Sequence, residues 1–264
     1  MVQDPSLLEL LILAVIEGIT EYLPVSSTGH MVLAAWGMGL EPTDWVKSYL
    51  ISVQFGAILA AIWLYRERLR QGWSVHGRLL LAFVPAVLIG LALKDQIDRW
   101  LESPTVVAAA LVGGGLVLLL VDRLFPDERA QISDMRRLSW RASFSIGLIQ
   151  TFALIPGVSR SAATIVGGLA MGLNRQAAAE FSFLLAIPTL TAAAGYKTLK
   201  MLSSPEVSSQ LISSVGSLAM GNIVSFVVAW LAIRGFVGFL QRNGFFWFGV
   251  YRIILGSLIL LILF

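Results

Sequence analysis

Apolar runs, several of them close to 20 residues long, recur along this 264-residue chain and decide the solvent in which it folds. An α-helix needs about 20 residues to cross a hydrocarbon core of roughly 30 Å. The stretches 46–65, 79–93, 105–121, 178–199, 211–233 and 245–264 read as six spans. Charged residues make up 13% of the chain and hydrophobic ones 57%, with a mean hydropathy of +0.80. A soluble domain carries about 25% charge, so most of this surface faces lipid and the fold class is an all-α, polytopic membrane protein forming one domain, 1–264. The net charge of +3 then belongs to the loops of a membrane protein, and nucleic acid is not an expected partner. The absence of cysteine excludes disulfides, thiolate metal sites and cysteine nucleophiles. The opening "MVQDPS" lacks the basic region of a secretory signal, so no cleavage is expected.

Two further apolar stretches, 7–40 and 142–173, are each broken in the middle by a proline and a polar cluster. Neither pair of arms suits two full spans, and each reads as a hairpin that dips into the membrane and returns to the same side. With an offset of 133 residues, Glu17 falls on Gln150, Val25 on Val158, Ser26 on Ser159 and Thr28 on Ser161. The chain therefore divides into repeat halves, about 1–121 and 142–264, joined by the polar loop 122–141. Each half is a re-entrant hairpin plus three transmembrane helices, and an odd number of spans inverts the second half relative to the first. With the N-terminus outside, the inner loops carry 12 of the 19 basic residues and the outer segments 5, in line with the positive-inside rule. Arg160 and Arg252 are left over, both near membrane depth.

The polar breaks carry the chemistry. Glu17 and Glu21, four residues apart, share one helix face. A carboxylate at the bilayer centre costs at least about 2.5–3.5 kcal/mol, so such residues are usually functional. A cation between the two, metal or arginine, would remove both the burial cost and their repulsion. "PVSSTGH" follows, with Ser26, Ser27 and Thr28 at the start of a new helix, whose N-terminus attracts anions, and with His30 as nucleophile, general acid or hydrogen-bond donor. The second break, "PGVSRSAAT", offers Ser159, Arg160, Ser161 and Thr164, a guanidinium among hydroxyls just ahead of a helix. Guanidinium, hydroxyls and helix terminus together suit a phosphate. Carboxylates, an imidazole, hydroxyls and an arginine suit hydrolysis of a phosphate ester or anhydride, and a site within the membrane implies a lipid-borne substrate.

"EGITE" followed by "LPVSSTGH", with "PGVSRSAAT" half a chain later and "FGVYRIILG" near the C-terminus, resembles the undecaprenyl-diphosphate phosphatase family of the bacitracin-resistance type. The resemblance covers the whole chain. It implies an enzyme of the bacterial inner (cytoplasmic) membrane that removes the terminal phosphate of undecaprenyl diphosphate, recycles the carrier for cell-wall synthesis and confers bacitracin resistance. It further implies a divalent cation, magnesium or calcium, a site toward the external face, and site residues Glu17, Glu21, Ser27, His30, Ser159, Arg160 and Thr164. Glu17 and Glu21 are expected to hold the cation or position the nucleophile, which is His30, Ser27 or a water. Ser26, Thr28, Ser159, Arg160, Ser161 and Thr164 are expected on the phosphates. The alternatives are a lipid-phosphate flippase or anion transporter in the same cavity, which needs less of the glutamate pair, and an assembly protein, which leaves both breaks unexplained. A homodimer is a further possible partner, through "VGGGLVLLL" or "IVGGLAMG".

Overall fold

A computed structural model describes residues 5–101, 103–202 and 214–263. The described elements are helical, with one isolated β-bridge between Ile132 and Leu173. The first half comprises α1 (Leu7–Thr20), α2 (Ser27–Gly37), α3 (Asp44–Leu64), the short α4 (Arg66–Leu69), α5 (Trp73–Ala92), α6 (Lys94–Leu101) and α7 (Pro104–Leu124). The second comprises α8 (Trp140–Gln150), α9 (Arg160–Ala170), α10 (Arg175–Leu202), α11 (Val215–Asn243) and α12 (Phe246–Leu263). Six of these, α3, α5, α7, α10, α11 and α12, are long and apolar enough to cross a membrane. They correspond to the six expected spans, and α1–α2 and α8–α9 to the two broken stretches.

Local signals set the helix starts. Ser6 and Glu9 form a capping box on α1, Thr43 caps α3, Ser103 caps α7 ahead of Pro104, and Ser139 caps α8. Three elements differ from the hydropathy reading. Loop residues 66–69 and 94–101 coil into α4 and α6, and α11 runs ten residues past the apolar run that ends at 233. Polar residues at helix ends lie beyond a hydropathy window yet still satisfy the helix's own hydrogen bonds. Of the expected span 211–233, residues 211–213 lie outside the described residues.

Packing mixes the two halves. Helix α1 packs on α11 as α8 packs on α5, α3 and α10 pack on each other, and α7 pairs with α12. Glycines permit the close approaches: a Cβ on Gly115 would meet the Gly249 carbonyl oxygen at 2.8 Å, and one on Gly256 the Ala108 carbonyl oxygen at 2.7 Å. A Cβ on Gly168 would meet that of Ala178 at 3.0 Å. Gly114, Gly115, Gly167 and Gly168 of the two small-residue stretches thus pack inside one chain, while a Cβ on Gly113 or Gly172 would meet nothing within 4 Å. Tyr22, Phe183, Phe236 and Phe248 form a chain of ring contacts, with centroids 5.3–5.9 Å apart, through a core drawn from both halves.

The contacts also give helix directions. The Tyr49 hydroxyl donates to the Leu10 carbonyl (2.6 Å) and that of Tyr22 to Ala57 (2.9 Å), so α1 runs parallel to α3. Gly77 meets Trp140, and Gly90 meets Leu154, just beyond α8, so α8 runs parallel to α5.

Candidate active site

The first break turns at Pro24 and places Ser26 in a left-handed backbone, φ 73°, immediately before α2. The second turns at Gly157, φ 98°, and places Ser159 at φ 77° immediately before α9. Among the described residues these two serines are the non-glycine residues with positive φ. Such backbone costs about 1–3 kcal/mol per residue and persists where surrounding structure enforces it.

The breaks meet. The Arg160 Nη2 donates to the Glu21 carboxylate at 2.8 Å, and Nη1 to the Ser182 carbonyl at 3.0 Å. The guanidinium also lies over the Tyr22 ring, 5.5 Å from its centroid. The second oxygen of Glu21 accepts a short hydrogen bond from the Ser27 hydroxyl. Glu21 therefore links an arginine from one half to a serine at the first position of α2. Arg160 Nε is buried and has no acceptor among the described residues. Glu17, one turn earlier on α1, is fully buried, and neither of its carboxylate oxygens finds a donor among the described residues. It lies close enough to Glu21 and Arg160 to feel both charges. Glu21 is 6% exposed and Ser27 8%, so the cluster is closed from the surroundings rather than lining an open cleft.

The other hydroxyls of the second break make structural bonds. Ser159 caps α9 through Ala162 N–H (3.2 Å) and donates to Ser161 Oγ (3.0 Å), which donates to the Leu23 carbonyl (2.6 Å) and so ties break to break. Thr164 Oγ1 donates to the Arg160 carbonyl at 2.8 Å and pairs with the Ser182 hydroxyl at 2.6 Å. Ser26 places no side-chain cap on α2, so the first N–H groups of that helix stay uncapped. Thr28, one residue past Ser27 and about 100° round the helix, is exposed and makes no hydrogen bond among the described residues. His30 stands apart from the Glu21 cluster, its Nδ1 2.8 Å from the Ser26 carbonyl and its Nε2 2.6 Å from the Tyr251 hydroxyl.

Three residues of the site lie outside the expected set of site residues. Ser182 supplies a carbonyl and a hydroxyl from α10, Tyr22 supplies a ring face, and Arg252 on α12 reaches the backbone of both breaks. Arg252 had one visible signal, a basic residue inside an apolar run.

Two carboxylates and a hydroxyl converge here, and among the described residues no group of three His, Cys, Asp or Glu side chains gathers that could by itself hold a metal ion. A magnesium ion characteristically takes one or two carboxylates and completes its shell with water and phosphate oxygens. The orphaned carboxylate of Glu17, beside Glu21, fits that donor pattern.

Comparison with known proteins gives the family. The family model described as "Bacitracin resistance protein BacA" matches residues 10–258. An undecaprenyl-diphosphatase of Flavobacterium johnsoniae is 47% identical, with 97% of this chain and 95% of that protein covered. Undecaprenyl-diphosphatases of Bdellovibrio bacteriovorus (43%; 98% of this chain and 97% of that protein) and Persephonella marina (44%; 97% and 98%) match as fully. With this coverage, and with Glu21, Ser27 and Arg160 joined in one buried cluster, the chain belongs to the bacitracin resistance protein BacA family.

Proposed function

We propose that this protein hydrolyses undecaprenyl diphosphate to undecaprenyl phosphate and inorganic phosphate, recycling the lipid carrier for cell-wall synthesis and conferring bacitracin resistance. The observation that carries the chemistry is the Ser27–Glu21–Arg160 chain: a hydroxyl donating to a carboxylate that is held by a guanidinium. The names and near-complete coverage of the relatives support the substrate. A flippase or anion carrier would gain nothing from a serine hydroxyl bonded to a buried glutamate.

In the proposed mechanism the substrate's terminal phosphate lies at the start of α2, where uncapped N–H groups and the helix dipole favour an anion. Arg160 turns its free Nε–H toward the phosphate oxygens and offsets the charge that grows on them in the transition state. Ser27 Oγ attacks the terminal phosphorus in line, its proton passes to Glu21, and the P–O bond to the leaving prenyl phosphate breaks. Glu21 gives that proton to the leaving prenyl phosphate, then takes one from the water that attacks the phosphoserine and passes it to Ser27 Oγ as that P–O bond breaks, which releases inorganic phosphate and restores the hydroxyl. Ser27 is preferred to His30 because both ring nitrogens of His30 already have partners. Glu17 and Glu21 are the proposed holders of a divalent cation, which supplies charge neutralisation at the diphosphate.

The same proposal includes topology. The register of α1 on α3 and of α8 on α5 supports hairpins that enter from opposite sides, hence an inverted repeat. The positive-inside count supports an external N-terminus, and membership of the family supports a bacterial cytoplasmic membrane with the site toward its external face. A homodimer is not included.

Phosphate release from a prenyl diphosphate by purified protein in detergent with magnesium tests the reaction, because no transport is possible there. Release that stops in Glu21→Gln and Arg160→Ala is the expected result, and no release from any prenyl diphosphate overturns the proposal. Rapid quench with a terminally labelled substrate should trap label on Ser27; inversion at phosphorus with no trapped label would assign the attack to water instead.

A further inference from the structure

The two breaks carry strained serines and must face each other for Ser27 to reach Glu21 and Arg160. Something has to hold both, and the described contacts identify it on a third element. Arg252 is completely buried on α12. Its Nη1 donates to the carbonyls of Pro24 (3.0 Å) and Val158 (2.9 Å), its Nη2 to those of Gly157 (2.7 Å) and Ala110 (3.2 Å), and its Nε to that of Leu111 (3.4 Å). These are all five N–H donors of a guanidinium. No donor is left for a substrate, which separates Arg252 from Arg160, whose Nε–H is free. The acceptors come from the first break, the second break and α7, and among the described residues no carboxylate pairs with this arginine.

The preceding residue of α12 completes the arrangement. Because a carbonyl can only accept, His30 Nδ1 carries the proton that bonds Ser26 O; on the neutral ring Nε2 then accepts from the Tyr251 hydroxyl at 2.6 Å. The two rings lie nearly parallel, 13° apart. Tyr251 thus fixes His30, and His30 fixes the carbonyl of the strained Ser26. The N–H of His30 bonds the same carbonyl from above, at 3.2 Å. Arg252 holds the residues on the near side of both strained serines, Pro24 in one break and Gly157 and Val158 in the other. Gly114 leaves the room: a methyl group there would overlap the Arg252 guanidinium.

We propose that Tyr251 and Arg252 form one positioning pair that locks the two broken hairpins in register, Arg252 by bonding the carbonyls of both and Tyr251 by acting through His30 on Ser26, so that Ser27 is aimed past Arg160 at the terminal phosphate. This rests on the phosphatase reading above. His30 is then a link in the scaffold, not the nucleophile. A lysine cannot replace Arg252, because three donors on a point charge cannot span five carbonyls in three segments.

The test uses the full-length protein in detergent with magnesium and a prenyl diphosphate. Tyr251→Phe removes one hydroxyl and keeps the ring; Arg252→Lys keeps the charge. Single-turnover rate constants at saturating enzyme are insensitive to the fraction of folded protein, so a merely destabilised enzyme would not lower them. Misaiming a nucleophile by about 1 Å costs on the order of 10²-fold. A loss of that order is expected for Arg252→Lys and of about tenfold for Tyr251→Phe, with KM within about threefold of the unsubstituted protein in both. Unchanged rate constants in both variants overturn the proposal. So does a large rise in KM with an unchanged rate constant, since Arg252 would then be holding substrate. If Arg252→Lys does not fold, Tyr251→Phe decides alone. Hydrogen exchange gives a readout without substrate: Arg252→Lys should speed exchange in 24–29 and in 156–161 together. Unchanged exchange in both segments, or a uniform rise along α7 and α12, overturns the proposal. If the unsubstituted protein releases no phosphate, the phosphatase reading fails and the exchange result decides the positioning pair.

Discussion

Ser26 and Ser159, 133 residues apart, share a positive φ, 73° and 77°, each one residue ahead of a helix that brings a reacting or binding group into the site. Glycine would adopt that backbone at lower cost. Ser26→Gly loses no cap, so it should stabilise the protein by about 1 kcal/mol, which for a chain of this size is roughly 2–4 °C in Tm. Ser159→Gly should gain less, because its hydroxyl caps α9 through Ala162 N–H. Strain that aims Ser27 predicts a lower kcat in Ser26→Gly despite the higher Tm. Thermal unfolding in detergent checks the first part, and a fall in Tm for Ser26→Gly would show that no strain is stored there.

The Glu21–Arg160 pair should show its structural and catalytic parts separately. Arg160→Met strands a buried carboxylate and should cost about 3–5 kcal/mol of stability. Adding Glu21→Gln removes the stranded charge, so the double variant should be more stable than Arg160→Met alone. Both should lose about 10²–10³-fold or more in kcat, as expected when a charge-stabilising donor is removed. Denaturation midpoints and phosphate release, measured on the same three preparations, give the comparison.

Glu17 has two buried oxygens and no donor among the described residues. A magnesium ion held there stabilises the folded state by mass action, about 2.7 kcal/mol at a hundredfold excess over Kd. Magnesium should therefore raise Tm, and Glu17→Gln should abolish the rise while leaving the bond between Ser27 and Glu21 intact. A calcium titration beside it reads the choice of ion. An equal rise in the variant would move the cation elsewhere.

What the sequence made legible follows from the rarity of ionisable groups in oil. Glu17, Glu21 and Arg160 stand out because each is costly at membrane depth, and their convergence across the two halves could be read from the broken helices alone. Ser182 could not, because it contributes a backbone carbonyl, which no residue type marks, from a span that looks ordinary. Arg252 was visible as a basic residue out of place, but its partners are five carbonyls and so are anonymous in sequence. Thr28 joined the expected phosphate set by adjacency, yet the helix that starts at Ser27 turns it outward. The hydroxyls of Ser159, Ser161 and Thr164 fell in the right break, where Ser161 ties it to the first break and Ser159 and Thr164 brace the start of α9.

The loop between the halves has its own pH response. The Arg136 side chain, bonded to both oxygens of Asp134, holds that carboxyl down to about 2. Asp134 also accepts from the Arg136 backbone N–H at 2.9 Å, fixing a short turn at Met135–Arg137. A carboxyl depressed in the folded state stabilises it above the ordinary value near 3.8 and loses that contribution as pH falls toward 2. Protection of amides 134–138 should therefore drop between pH 4 and 2 (probed by pulsed exchange), and Asp134→Asn should flatten the profile. The pair is partly exposed, so added salt should weaken the effect.

Gly157 is constrained by both its backbone and its neighbours. Its φ of 98° is one that only glycine adopts without strain, and a methyl group there would overlap the Val107 carbonyl oxygen and press on the Ala110 side chain at 2.9 Å. Its own carbonyl accepts the Arg252 bond at 2.7 Å. Gly157→Ala combines backbone strain of about 1–3 kcal/mol with overpacking of about 1–3 kcal/mol, and it pushes the second break away from α7. The expected result is a loss of several kcal/mol and near-complete loss of phosphate release. Val107→Ala, which shortens the neighbouring side chain and not the carbonyl, should fail to rescue it. Rescue would mean that the obstruction is side-chain packing and that the glycine is not required by the backbone.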